Sequence, residues 1–263
     1  MAELATIVYP NPQVLAEAVA ARTLLTLIDL IAEPSRTRVD IAVTGGTDGI
    51  RMLEAVGKSP LAEAVDWSRV HVWWGDERFV AAGDDDRNAK QANDALFGAL
   101  IESGAMPTGN IHAMPADTRG AEEIAEASPE QTDAALARAA ADYQREFVEQ
   151  LGDRPTLDIA LFGVGPDAHF ASLFPDHGEA EIDDPQVLVA GVRDSPKPPP
   201  LRLTLSVPMI ARSRRTWVFT SGARKADAVK AAFARRNNPH APSSYADGEE
   251  LLWLIDEGAA SKL

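Results

Sequence analysis

Asp167 and His169 stand two residues apart near the middle of the chain and pair a carboxylate with an imidazole. They lie in Leu161–Pro175, LFGVGPDAHFASLFP, just past the apolar run Asp158-Ile159-Ala160-Leu161-Phe162 and between glycines and a second apolar run. A neutral imidazole takes up a proton near pH 7, and an adjacent carboxylate orients the ring and raises its basicity. At the carboxyl end of a strand in an α/β sheet, where ligands bind, such a pair suits proton transfer better than packing. The other histidines lack this setting: His71 opens a strand, His177 lies in an acidic loop, and His112 and His240 sit beside turns. No HxxxH or HExxH pair occurs, so a metal site has no support. Ser172 has no Gly-x-Ser-x-Gly elbow, which argues against a serine nucleophile.

Four further segments offer groups for an anion. Thr44-Gly45-Gly46-Thr47 joins a strand to a helix, where close backbone N–H groups and the helix N-terminus favour a phosphate; a plain glycine turn would read the same way. It is neither a Walker A loop nor a GxGxxG fingerprint. In Gly75-Asp76-Glu77-Arg78, Arg78 suits a phosphate or a developing oxyanion, with Asp76 to orient it or hold a substrate hydroxyl; an ordinary strand-end ion cluster is the competing reading. Ser195-Pro196-Lys197-Pro198-Pro199-Pro200 is a stiff loop that presents Lys197 or simply turns at the surface. Ser221-Gly222-Ala223-Arg224-Lys225 puts cations at the wrong end of a helix for its dipole, which is best tolerated beside an anion.

These segments need elements to hold them. Asn11 and Pro12 start a helix that runs to Glu33 and stops at Pro34. Residues 39–43, 70–74, 158–162, 187–192, 201–205 and 216–220 read as strands, with 251–255 as a last one and 111–114 as a short extended piece. Helices are expected from the Gly45 turn to near Gly57, over 88–103, over 129–151 and over 224–235. Adjacent Trp73 and Trp74 point to opposite faces and suit core packing, while Asp84-Asp85-Asp86 reads as a solvated tip. Strands alternating with helices predict an α/β fold with a mainly parallel sheet covered by helices on both faces, and no linker forces a split of residues 1–263 into two domains.

Twenty-five basic against 40 acidic side chains give a formal charge of −15, which argues against general nucleic-acid or anionic-membrane binding but not against a local basic pocket. The absence of cysteine excludes disulfides, thiolate metal sites and cysteine nucleophiles, and suits a reducing cytosol. The first residues lack a signal-peptide pattern, and the apolar segment 24–32 is too short to span a bilayer; a cytoplasmic protein is expected.

In order along the chain, TGGT, WWGDERFV, GVGPDAHFASLFP, SPKPPPLRLTL and VFTSGARKA resemble the 6-phosphogluconolactonase family, from about Thr44 to Lys225. The resemblance implies a modified Rossmann-like α/β fold shared with glucosamine-6-phosphate deaminase. It also implies hydrolysis of 6-phospho-D-glucono-1,5-lactone without metal or organic cofactor; a monomer or weak homo-oligomer is the expectation for the assembly. Carried over by motif, His169 is the base with Asp167 beside it, and Gly45, Gly46 and Thr47 form the phosphate loop. Arg78, Lys197 and Lys225 surround the substrate, with Asp76 at the strand end and Arg193 a looser candidate. Two positions depart from the family pattern: Ala168 replaces the glycine of Asp-Gly-His, and Thr47-Asp48-Gly49 replaces a serine followed closely by proline. The sister deaminase resembles Asp-Glu-Tyr and Ala-Phe-Asn-Glu-Pro where this chain has Asp76-Glu77-Arg78 and Ala171-Ser172-Leu173-Phe174-Pro175, which favours the lactonase. A non-enzymatic sugar-phosphate sensor of related fold should carry a DNA-binding helix pair and lose the base; the first 35 residues are too short and acidic for the former, and His169 is present.

Overall fold

Apolar strands that must be buried on both faces, each followed by a helix, build a parallel sheet. A computed structural model describes residues 3–263 and contains such a sheet. The chain runs β1 (Leu4–Tyr9), α1 (Pro12–Ala32), β2 (Val39–Val43), α2 (Gly46–Lys58), β3 (Val70–Trp74), β4 (Asp76–Arg78). It continues through α3 (Asn88–Ala92), α4 (Gly98–Glu102), β5 (Ile111–His112), α5 (Ala121–Glu126), α6 (Pro129–Leu151), β6 (Ile159–Phe162). The remainder is β7 (Val189–Val192), β8 (Arg202–Leu205), α7 (Val207–Ile210), β9 (Arg215–Thr220), α8 (Ala226–Ala234), β10 (Glu250–Asp256) and α9 (Glu257–Ala260). Seven strands pair in parallel in the order β1-β10-β9-β6-β2-β3-β5. From β2 the chain builds outward to β3 and β5, then returns to β2's other side with β6. The β2–β6 pair is therefore the topological switch point, where the loops at the carboxyl edge run to opposite sides, the place at which open α/β sheets bind ligands.

Local chemistry fixes the helix ends. Asn11 Oδ1 accepts from Val14 N at 2.9 Å with Pro12 in the first turn of α1, as the residue types predict. Ser128 and Gln131 form a capping box for α6, and Gly152 closes that helix at φ 82°. Trp73 and Trp74 are fully buried on opposite faces: Trp73 stacks on Phe147 of α6 at 4.2 Å, and Trp74 meets Phe97 edge-on.

Several expectations need correction. β1, absent from the sequence reading, pairs with β10 from Leu4 opposite Leu251 to Tyr9 opposite Asp256. The strands expected at 187–192 and 201–205 do not join the parallel sheet; as β7 and β8 they form an antiparallel three-stranded sheet with β4. The link between them is too short for the crossover that parallel pairing needs. The helix expected over 88–103 is interrupted by a π turn at Asn93–Phe97, and α5 was not foreseen. The helix expected from Arg224 begins with a 3-10 turn, Ala223–Lys225, before α8.

Candidate active site

Four loops leave the carboxyl ends of neighbouring strands β3, β2, β6 and β9, and they carry most of the chemical residues singled out above. The loop after β6 is the centre. Gly165 N donates to His169 O at 2.8 Å and Ala168 N to Gly165 O at 3.0 Å, which folds the Asp167–His169 pair back over Gly165. A Cβ on Gly165 would lie 2.0 Å from the His169 ring and 2.5 Å from Asp167 Oδ1, so only glycine permits this approach. His169 Nδ1 and Asp167 Oδ1 are 2.5 Å apart, and the ring leans on Phe174 at 4.7 Å. Ala168, between them, takes φ 67°, a left-handed conformation that a glycine would adopt without penalty. It is held there by burial and by Ser243 N, which donates to its carbonyl at 2.8 Å.

Burial raises the Asp167 pKa, but the hydrogen bond from His169, its charge and the Lys197 ammonium outweigh that and hold the carboxyl well below the usual range. Lys197 Nζ sits 3.3 Å from Asp167 Oδ2. The proline loop that carries it is pinned by Arg202, a buried residue of β8 that lies within SPKPPPLRLTL but has no role in the sequence reading. Arg202 donates through Nε to Pro199 O at 2.8 Å, and through Nη2 to Lys197 O and Pro198 O at 3.1 and 3.0 Å. Ser195 Oγ closes the loop on Lys197 N and O. A signal was available: Arg202 is a lone arginine in an otherwise apolar strand, directly opposite Arg78 in register.

Lys225 reaches the same loop, with Nζ donating to Val164 O. Burial pushes its ammonium pKa down, against the charges of Asp48 and Asp167. On the β2 side, Gly45 and Gly46 open α2 with no side-chain cap on its first turn. Gly45 packs so closely on Asn88 that a Cβ would meet Asn88 Oδ1 at 1.9 Å. Thr47 is exposed on the same turn. Asp76 is buried and receives Ser172 Oγ at 2.7 Å and, through its carbonyl, Asn88 Nδ2 at 2.9 Å, tying the β3–β4 turn to the His169 loop. Arg78 donates through Nη1 to Asp86 O at 2.5 Å and leaves Nε buried without a hydrogen-bond partner. Glu77, fully buried, accepts from Arg78 N, Asn88 N and Ala89 N and so fixes the start of α3 against β4.

The structure thus brings Asp167, His169 and Lys197 together in direct contacts, ties Lys225 to the same loop through Val164 O, and links Gly45 and Asp76 to it through Asn88 and Ser172, with Arg78 joined to Asn88 by Glu77. Arg193 is elsewhere: it is exposed, at 2.7 Å from Asp133 of α6 and 2.8 Å from Asp194. Asn88, Ser172 and Arg202 are supporting residues to which sequence reasoning gave no such role: Asn88 lies outside the motifs, and Ser172 and Arg202 lie within them, but each acts through a partner that the sequence does not place beside it. Among the described residues no cluster of three or more His, Asp or Glu side chains is arranged to hold a metal ion, and no helix is long and apolar enough to cross a membrane.

Comparison with known proteins shows the family and the fold. Residues 10–253 match the family described as glucosamine-6-phosphate isomerases/6-phosphogluconolactonase. The chain is 38% identical to 6-phosphogluconolactonase of Streptomyces coelicolor, over 98% of this chain and 94% of that protein. It is 39% identical to 6-phosphogluconolactonase of Mycobacterium tuberculosis, over 97% of each. Its fold superposes on the solved 6-phosphogluconolactonase of Trypanosoma brucei with a TM-score of 0.82 at 24% identity, covering all of both chains. A monomeric glucosamine-6-phosphate deaminase shares the fold at a TM-score of 0.75 and 17% identity, over 98% of this chain and 100% of that one. With its switch-point loops, its Asp167–His169 pair and these relatives, the chain belongs to the glucosamine-6-phosphate isomerase/6-phosphogluconolactonase family.

Proposed function

We propose that this chain hydrolyses 6-phospho-D-glucono-1,5-lactone to 6-phospho-D-gluconate, with His169 as general base. The observation that carries the reading is the 2.5 Å contact of His169 Nδ1 with an ionised Asp167. A carboxylate can only accept there, so Nδ1 carries the proton and Nε2 offers its lone pair. Nε2 removes a proton from water as its oxygen attacks C1 of the lactone. The tetrahedral oxyanion that forms collapses, the C1–ring-oxygen bond breaks, and the imidazolium returns the proton to the departing oxygen.

Lys197, held beside Asp167, is the cation nearest the reacting carbonyl in this reading. Lys225, Arg78 and the open first turn of α2 at Gly45, Gly46 and Thr47 receive the 6-phosphate. Binding a remote phosphate orients C1 against His169 and turns contact energy into positioning. Arg193, bound to Asp133, stays outside this scheme. The cysteine-free composition fits work in the cytoplasm, on a soluble phosphosugar lactone.

The test uses lactone made in situ from glucose 6-phosphate. Purified protein should accelerate its loss in proportion to enzyme added and release no ammonia from glucosamine 6-phosphate. His169→Ala should lower kcat by about 100-fold or more while 6-phosphogluconate still binds. Lactone decay at the buffer rate would reject the activity, and full turnover by His169→Ala would reject the base.

A further inference from the structure

Asp48 departs from the family pattern in the loop just read as a phosphate cradle. An acid in the first turn of α2 should repel a phosphate there. The structure gives its carboxylate partners instead: Oδ2 accepts from Ser221 N at 3.0 Å and Oδ1 from Ser221 Oγ at 2.6 Å, with Arg51 Nη1 at 3.5 Å. Ser221 follows β9, and in the sheet β9 and β2 flank β6. The Asp48–Ser221 bridge therefore passes over the carboxyl end of β6, the strand whose loop holds Asp167 and His169. Four residues past Ser221, Lys225 closes the same turn, its N–H donating to Gly222 O at 2.9 Å. Gly222 N in turn donates to Asp256 Oδ1 at 2.8 Å, so two carboxylates grip the turn that presents Lys225.

We propose that Asp48 is a positioning residue of this site: it clamps the Ser221 turn, which leads to Lys225, across the end of β6 and keeps a negative charge on that side of the site. An acid that merely complements the dipole of α2 needs no partner two strands away. The charged groups around Lys225 are Asp48, Asp167, Arg224 and Lys197. Two are cations, Asp167 is already paired with His169 and Lys197, and Asp48, held by Ser221 and Arg51, is the other acid whose charge acts on Lys225. The kinetic consequence rests on the proposed role of Lys225 in holding the substrate phosphate; the clamp itself does not.

The experiment follows the lysine side-chain methylene signals of the full chain by NMR against pH, with Lys225→Met to identify the Lys225 signal. Asp48→Asn keeps the shape and removes the charge, and should move the Lys225 midpoint about one pH unit lower. It should also raise KM for the lactone by about fivefold, with a smaller change in kcat and an alkaline limb displaced to lower pH. Asp48→Glu should restore most of the midpoint. Ser221→Ala keeps every charge and should leave the midpoint in place while KM rises. An unmoved Lys225 midpoint in Asp48→Asn overturns the proposal. If Asp48→Asn does not fold, unchanged amide hydrogen exchange at Ser221 and Gly222 in Ser221→Ala overturns the clamp. If Lys225→Met leaves KM unchanged while Asp48→Asn moves the midpoint, the phosphate role of Lys225 fails and the positioning by Asp48 stands.

Discussion

At the scale of single residues, the site is a set of close approaches that tolerate no added atoms. Gly165→Ala places a methyl group 2.0 Å from the His169 ring, which must swing off Asp167 to make room. Misplacing a catalytic group by about 1 Å costs on the order of 100-fold. We expect Gly165→Ala to lower kcat by at least about tenfold, measured by initial lactone hydrolysis rates; an unchanged kcat would mean that the ring position is not what matters. Ala168 shows the same loop tolerating strain. Its φ of 67° costs about 1–2 kcal/mol relative to glycine, offset by burial and by the Ser243 contact. The Asp167–His169 pair was legible in the sequence because its two members lie two residues apart and their geometry is local. Asp48 was legible only as an oddity, since its partner Ser221 stands far along the chain.

At the scale of elements, β3, β5 and α6 are stitched by a polar relay away from the catalytic edge. His71 Nδ1 contacts His112 Nε2 at 2.9 Å, and His112 Nδ1 contacts Glu146 Oε1 at 2.6 Å, with His112 stacked on Trp73 at 3.9 Å. Burial, joined by the charges of Arg38 and His112 and opposed by Asp40, pushes the His71 pKa down to about 4. The unfolded chain takes a proton at about 6.5 and the folded one only near 4, so the unfolded state binds more protons between these values. Stability from this group is therefore complete above about pH 6.5 and is lost as pH falls toward 4. Calorimetry should give a shallower loss of Tm from pH 6.5 to 4.5 in His71→Gln than in the parent chain; parallel curves would remove His71 from acid sensitivity. From sequence, His71 and His112 were only a strand opener and a turn neighbour. Periodicity identifies elements but does not say which strand lies beside which, and the relay exists only because β3 and β5 pair.

At the scale of the whole molecule, the alternation of strands and helices made the parallel sheet readable, while the two features closed by distant partners were not. The β4-β8-β7 sheet needs Asp76–Arg78 to meet residues 202–204, and β1 needs the last strand. Loop-closure entropy favours neighbouring βαβ units first, so the β1–β10 pair should form after the transition state. Ile7→Ala, opposite Leu254, should cost about 1–2 kcal/mol and show it as faster unfolding with an unchanged refolding rate. Stopped-flow chevrons decide this, and slowed refolding would place β1 in the nucleus. The same adjacency of first and last strands bears on biosynthesis. Residues Leu4–Tyr9, LATIVY, are uncharged and rich in β-branched side chains, and they are made well before their partner, Glu250–Asp256. At about 5–20 residues per second, that segment waits on the order of ten seconds or more without its strand. For that interval β1 has no strand of its own sheet to pair with and stands open to other chains.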